Sequence, residues 1–424
     1  MNDEGLPYPL ASNDLPCGWT AACFGDIGKP FYGKALAEAK RVSDGSVAVY
    51  GSAGVVGSHD EALSTGPTLI VGRKGNAGAV YLSRESCWPI DTTYYVPVPE
   101  TVDAKFLYLQ LSSMDLKGLD SSTTVPSLRR GDLEAALIRL PPLGEQRRIV
   151  EAIEERFSRL DAAEASLVSA RGKLYALRRR CFGLTKQTTV PPRPITDVAR
   201  IVSGQTPKSL IVDPGGSVPF FKVGDMNVAA GYAMMRARSY ISSDMARRLK
   251  LHVWPSGTVI FPKRGGAIAT NKKRLLVTPG SFDLNTMGLV PQQCLDSKFL
   301  LFWLETIDLA TLSDGSNVPQ INHGNVAELM ISVPSIDDQI RIVAEIDRLL
   351  TMTDRALLEV QRAAQRSQHL RRAILEDAFC GRLVTQQHPD ERESRVVLDS
   401  ETCRTAAEQR KRGATANAEL EVAT

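Results

Sequence analysis

Three things are scarce in these 424 residues: paired cysteines, net charge and long apolar runs. The seven cysteines (Cys17, Cys23, Cys87, Cys181, Cys294, Cys380, Cys403) are odd in number and widely scattered. None forms the C-x-x-C pair that zinc and redox sites use, which favours free thiols in a reducing cytoplasm. Lys and Arg total 51 against 48 Asp and Glu, a balance of +3. Any polyanion binding therefore has to come from local patches. The longest apolar stretch, Phe299 to Leu304, is far too short to span a bilayer, and Met1-Asn2-Asp3-Glu4-Gly5 carries neither a basic nor an apolar leader segment. Membrane insertion and secretion are disfavoured, and a cytoplasmic location is expected. Chemistry-bearing motifs are missing too. The run Gly51-Ser52-Ala53-Gly54-Val55-Val56-Gly57 lacks both the dinucleotide fingerprint and the Lys-Ser/Thr ending of a phosphate loop. His59, His252 and His323 stand isolated from acids and cysteines, so surface or core roles are expected, with no metal site and no catalytic constellation.

What is present is a foldable chain, 43% hydrophobic and 23% charged, long enough for two or three structural units. It repeats itself with a period of about 193 residues. Gln146, Arg148, Ile149, Val150 and Ile153 recur as Gln339, Arg341, Ile342, Val343 and Ile346. Upstream, Phe106-Leu107 matches Phe299-Leu300, Val125-Pro126 matches Val318-Pro319, and Gly131 matches Gly324. Before those anchors the register drifts: Lys74-Gly75 best matches Arg264-Gly265, so the front of each copy is its variable part.

The back of each copy is a helix of roughly 40 residues, about 60 Å long, starting after Pro141-Pro142 and after Pro334 with acidic first turns. In the first, Ile153, Leu160, Leu167, Leu174 and Cys181 recur every seventh residue. In the second, Ile346, Thr353, Val360, Ser367 and Ile374 hold the same phase, supported by Leu350. Such stripes need a partner helix, and the simplest partner is the other copy, paired antiparallel. Packing against the neighbouring domain is the competing account, and Thr353 and Ser367 would make the seam imperfect. A linker at Lys186 to Pro194 holds Pro191-Pro192 and Pro194 and cannot be helical throughout.

The variable regions mix short β-type runs with glycine turns and each ends in a helical stretch, Phe106 to Leu111 and Phe299 to Thr306, which predicts an α+β class. Both place a basic glycine loop after a β-type run: Gly72-Arg73-Lys74-Gly75-Asn76-Ala77-Gly78 and Lys263-Arg264-Gly265-Gly266, with Lys272 and Lys273 close behind in the second. Glycine lets a backbone approach closely, and Arg or Lys neutralises a phosphate or forks onto guanine. A solvated hairpin would explain either loop alone; the duplication favours nucleic acid. Arg73, Lys74, Asn76, Lys263, Arg264, Lys272 and Lys273 are the candidate DNA contacts.

Leu15-Pro16-Cys17-Gly18-Trp19, Val49-Tyr50-Gly51-Ser52, Gly72-Arg73-Lys74-Gly75 and Trp88-Pro89-Ile90-Asp91-Thr92-Thr93-Tyr94-Tyr95 resemble a target recognition domain of the specificity subunits of bacterial type I restriction-modification systems. Pro142-Leu143-Gly144-Glu145-Gln146 and its echo at Pro334 to Gln339 resemble the starts of that family's two conserved helices. The resemblance covers about residues 15 to 384. It implies two pseudo-symmetric target recognition domains (1–140 and 186–333), joined and separated by helical spacers (141–185 and 334–384) that form an antiparallel coiled coil, with a flexible tail at 385–424. It further implies a chain without its own active site or cofactor that reads a bipartite, asymmetric site in double-stranded DNA. Two modification subunits would methylate adenine using S-adenosylmethionine, and restriction subunits would use ATP. Neither Pro141-Pro142 nor Pro191-Pro192 follows Asn or Asp, so the adenine-methyltransferase signature is missing, as is a Walker A loop. The alternatives are a stand-alone DNA methyltransferase or nuclease, and a coiled-coil scaffold without a DNA role.

Overall fold

The computed structural model describes residues 15–118, 127–207, 215–229 and 231–385. Val125-Pro126 and residues 386–424 of the tail lie outside the described residues. The chain divides into two compact units, Met1–Ser166 with Ala363–Thr424, and Leu167–Arg362.

In the first unit an antiparallel sheet orders its strands Phe31–Tyr32, Thr93–Pro97, Thr68–Gly72 and Val80–Ser83. Its central strand, Thr-Leu-Ile-Val-Gly, is buried at every position, as expected of an uninterrupted apolar run covered on both faces. A second sheet orders Gly54–His59, Val47–Gly51 and Cys87–Pro89, the last pair parallel. The run Gly51 to Gly57 is no phosphate loop: it turns a hairpin between Val47–Gly51 and Gly54–His59, where Gly54, at φ +101, pairs with Gly51.

The second unit repeats this plan. Its larger sheet orders Ala199–Ser203, Thr286–Pro291, Val259–Pro262 and Arg274–Leu276, and adds a fifth strand, Ala233–Met234. Its smaller sheet orders Ser239–Ile241, Val218–Phe221 and Ser281–Phe282. The fold is therefore α+β and duplicated, with one strand more in the second unit.

The anchors that hold the repeat in register have a structural reason. Gln146 and Gln339 are buried and act alike. Gln146 Oε1 accepts from the Asp103 amide at 2.8 Å while its Nε2 donates to Pro141 O at 2.9 Å. Gln339 does the same with the Asp296 amide at 2.8 Å and Pro334 O at 2.9 Å. Asp103 and Asp296 are the N-caps of the helices Ala104–Ser113 and Ser297–Glu305. One amide side chain thus ties the start of a long helix to the start of a short one. Its amide oxygen and nitrogen are both engaged inside a core, where an unpaired one would cost about 1–3 kcal/mol.

The long helices span Leu143–Cys181 and Ile336–Phe379. Within each unit they pair antiparallel. In the first unit Ile153 and Phe157 share a core with Ile374, Leu375 and Phe379, and Arg371 bonds Asp161 and, at 3.3 Å, Glu164. In the second unit Arg178 pairs with Asp354, and Cys181 and Phe182 share a core with Ile346 and Leu350. Of the stripe residues, Ile153, Ile346 and Leu350 are buried, whereas Leu160, Leu167, Leu174, Val360 and Ile374 are half-buried, as suits a two-helix seam. Thr353 and Ser367, the irregular positions, are buried and satisfied: Thr353 Oγ1 donates to Leu350 O at 2.9 Å and Ser367 Oγ to Glu164 Oε1 at 2.6 Å.

Candidate nucleic-acid interface

The two basic loops occupy the same place in their units. The loop after Thr68–Gly72 is held by Leu128, whose amide donates to Arg73 O at 3.0 Å. The loop after Val259–Pro262 is held by Ile321, whose amide donates to Lys263 O at 2.9 Å. Lys74 bridges Ser127, and Arg264 bridges Gln320. Gly75 at φ +79 and Gly265 at φ +70 take left-handed conformations that a side chain would strain, which is why each loop turns at a glycine.

Strand register extends the equivalence. Tyr32 lies opposite Tyr94, which lies opposite Val71; Ser203 lies opposite Met287, which lies opposite Phe261. Tyr32 and Ser203 are therefore the same position, facing Arg73 and Lys263, also the same position. Their chemistry differs. In the first unit the Arg73 guanidinium lies 5.4 Å from the Tyr32 ring centre and donates through Nε and Nη2 to Asp91 O at 3.1 and 2.7 Å. With its Nε–Nη2 edge held by a carbonyl and its plane by a ring, the cation keeps its Nη1–Nη2 edge for a ligand. Phe31, 42% exposed, and Tyr32, 54% exposed, add an aromatic surface, with Phe31 stacked on Tyr95 at 5.5 Å. Tyr94 donates to Leu128 O at 3.1 Å, and burial, followed by the neighbouring Tyr32, pushes its phenol up to about 12.

In the second unit Lys263 Nζ donates to Ser203 Oγ at 3.0 Å, and Ser203 Oγ lies 3.0 Å from His323 Nε2. Burial pushes the Lys263 ammonium below the ordinary lysine value and Arg264 pushes it further, while Asp283 opposes both. Lys74, Asn76 and Arg264 are exposed. Lys272 is half-buried, its ammonium on Asn227 Oδ1, at the C-terminal side of the 3-10 turn Gly265–Thr270.

Lys273, expected among the DNA contacts, is sealed in the core instead. Its side chain is 0% exposed and its ammonium donates to Asn271 Oδ1 at 2.8 Å and Ile307 O at 2.7 Å. Burial pushes this ammonium below its usual value, with Glu305 and Asp308 pulling the other way. A cation committed inside the core cannot reach a phosphate; Lys273 fixes the left-handed Asn271, at φ 53. Sequence reasoning also missed Phe31, Tyr32, Ser203 and His323. Strand pairing across the sheet brings Phe31, Tyr32 and Ser203 to the loops, and the segment anchored by Ile321 on Lys263 O brings His323; no local pattern announces either.

The description "Type I restriction modification DNA specificity domain" matches this chain twice, over residues 16–166 and 189–361. The chain belongs to that family. Two curated members from Escherichia coli show the distance: the EcoDI specificity subunit is 23% identical over 90% of this chain and 93% of its own, and the EcoBI specificity subunit is 23% identical over 76% and 75%. Among solved structures, a chain from work on complex assembly and conformational transition of the type I R-M system superposes with a TM-score of 0.69, at 19% identity, covering 89% of this chain and all of that one. The HsdS subunit from Thermoanaerobacter tengcongensis gives 0.56 at 18% identity, covering 87% and 98%. These likenesses are of fold. DNA recognition is the work of the type I specificity family, and both matched stretches contain one of the basic loops. Among the described residues no group of His, Cys, Asp and Glu is placed to hold a metal, and no helix is long and apolar enough to cross a membrane.

Proposed function

We propose that this specificity subunit reads a bipartite, asymmetric site in double-stranded DNA, one half per unit. Arg73, Lys74 and Asn76 contact the first half, and Lys263, Arg264 and Lys272 the second. The observation that carries this is the pair of equivalent loops, each locked by the same backbone bond yet furnished differently, Arg73 on Tyr32 in one and Lys263 on Ser203 in the other. One architecture with two chemistries suits two different half-site sequences. With a net charge of only +3 the chain supplies little non-specific attraction, so part of the phosphate contact falls to its partners. On this reading residues 1–140 and 186–333 are the target recognition domains. The helical stretches 141–185 and 334–384 dock two modification subunits, which methylate adenine with S-adenosylmethionine. Restriction subunits add ATP-driven chemistry, and this chain contributes position and sequence, with no active site or cofactor of its own.

The test is single-molecule methylome sequencing of cells expressing the chain with a cognate modification subunit, against the modification subunit alone. A new split motif methylated on both strands, appearing only with this chain, is the expected outcome. A stable complex that methylates without any motif would sink the reading.

A further inference from the structure

We propose that Ser203, Lys263 and His323 form a phosphate-binding cluster in the second unit, and that His323 takes up a proton when DNA engages it. This rests on the DNA-reading role proposed above and adds to it a ligand group, a backbone phosphate oxygen, and a coupled proton.

Ser203 Oγ accepts from Lys263 and sits at hydrogen-bond distance from His323 Nε2. Against a neutral imidazole with a bare Nε2, the hydroxyl donates its proton to the ring and points away from any ligand. Against a ring with a proton on Nε2 the direction reverses: Ser203 Oγ accepts from both Lys263 and His323, and its own proton must find a third acceptor; the imidazolium makes this arrangement obligatory and adds a positive charge that an approaching phosphate favours. His323 and neighbouring Arg264 are exposed, and Ser203 and Lys263 half-buried, so that acceptor arrives from solvent. The cluster then presents donors only, and a phosphate oxygen accepts from several at once. It also restores the charge balance that burial and Arg264 take from Lys263.

Comparison of the two units points the same way. Arg130 opens the short helix Arg130–Glu134, and His323 opens His323–Ala327 at the equivalent place. Arg130 is permanently charged and bonds Glu134 at 2.8 Å. In the second unit the cation is a titratable one, and Ala327 stands where Glu134 does, leaving room for a carboxylate's substitute from outside. The other charged groups on elements packed against this helix are Asp197 on the turn Ile195–Asp197 and Arg200 on the strand Ala199–Ser203, with Glu328 at its own C-terminal cap. Arg200 is drawn over the Trp254 ring at 5.2 Å, and around Lys263 the charges are Arg264 and Asp283.

The experiment uses the full chain in complex with its cognate modification subunit and a duplex of roughly 30 base pairs carrying the motif that methylome sequencing returns, titrated by fluorescence anisotropy at about pH 6 and about pH 8, within the range where imidazoles change charge. Isothermal calorimetry in two buffers of different ionisation heat counts the protons. The wild type should bind about fivefold tighter at the lower pH, the order expected of one charge-assisted contact, and by linkage take up a fraction of a proton, about a third on average over that range. H323Q should lose both the pH dependence and the uptake, and H323R should bind tightly at both pH values. Position 323 is exposed, and thermal melts confirm that each variant is folded. Wild-type binding without proton uptake, or uptake unchanged in H323Q, overturns this inference and leaves the DNA-reading role standing. Failure of the wild type to bind the duplex at either pH overturns both.

Discussion

At the scale of single residues, four lysines that look alike in the sequence have separate fates. Lys74 is exposed on a glycine-held loop, Lys263 is half-buried against Ser203, Lys272 rests on Asn227, and Lys273 is sealed in the core. Lys74→Ala should therefore weaken DNA binding and flatten its salt dependence by about one phosphate's worth, with no change in melting temperature. An unchanged affinity and salt slope in a titration would remove Lys74 from the interface. Lys273→Ala should do the opposite. It strands Ile307 O without its donor and leaves Asn271 Oδ1 with the Leu309 amide alone, which costs on the order of 1–3 kcal/mol, visible as a lower denaturation midpoint with the salt slope intact. A shifted salt slope with unchanged stability would reverse the assignment of Lys273 to the core.

At the scale of elements, the antiparallel helix pair is held by a mixed seam. Phe379 is 2% exposed, meets Phe106 at 5.5 Å, and its carbonyl accepts from Arg139 Nη1 at 2.7 Å. Phe379→Ala should cost about 3–5 kcal/mol in the first unit, measurable by chemical denaturation. A loss within a few tenths would mean that the end of this helix is not packed there. The polar stretch behaves differently. Hydrogen bonding from Ser367, then from Arg371, holds the Glu164 carboxyl below the usual carboxylate range, and Arg371 also covers the Phe157 ring at 5.0 Å. A depressed folded-state value stabilises above the unfolded-chain glutamate value of about 4.3, and that stabilisation is lost as pH falls through the folded value. The melting-temperature difference between wild type and Glu164→Gln should accordingly be largest near neutral pH and vanish in acid. A difference that stays constant down to acid pH would contradict this.

At the scale of the whole molecule, two copies of one α+β plan present equivalent loops. On the bipartite reading proposed above, half-site identity belongs to the front of each copy and half-site spacing to the helices. Inserting four residues into Leu143–Cys181 should change the gap in the methylated motif and leave both half-sites unaltered. Methylome sequencing that finds the same gap would count against the helices as the ruler. Lengthening one partner of an antiparallel pair also shifts Arg178 away from Asp354, so some loss of stability is expected beside the change in gap.

The duplication, the long helices, the α+β class and the basic loops were all legible in the sequence, because each rests on local periodicity or on identities at fixed offset. Gln146 and Gln339 could be paired by counting, and their anchoring of helix starts explains why the count holds. The aromatic surface at Phe31 and Tyr32, the Ser203 to His323 chain and the burial of Lys273 could not be read that way. Each depends on which strands lie side by side and on which face a side chain falls, and a one-residue change of register would send it to the opposite face. The sequence by itself determined that the chain is a repeated α+β unit with helical connectors and a basic loop in each copy. Only the tertiary structure decided which of the basic residues reach solvent and which neighbours tune them, because burial and strand pairing join residues 60 to 240 positions apart.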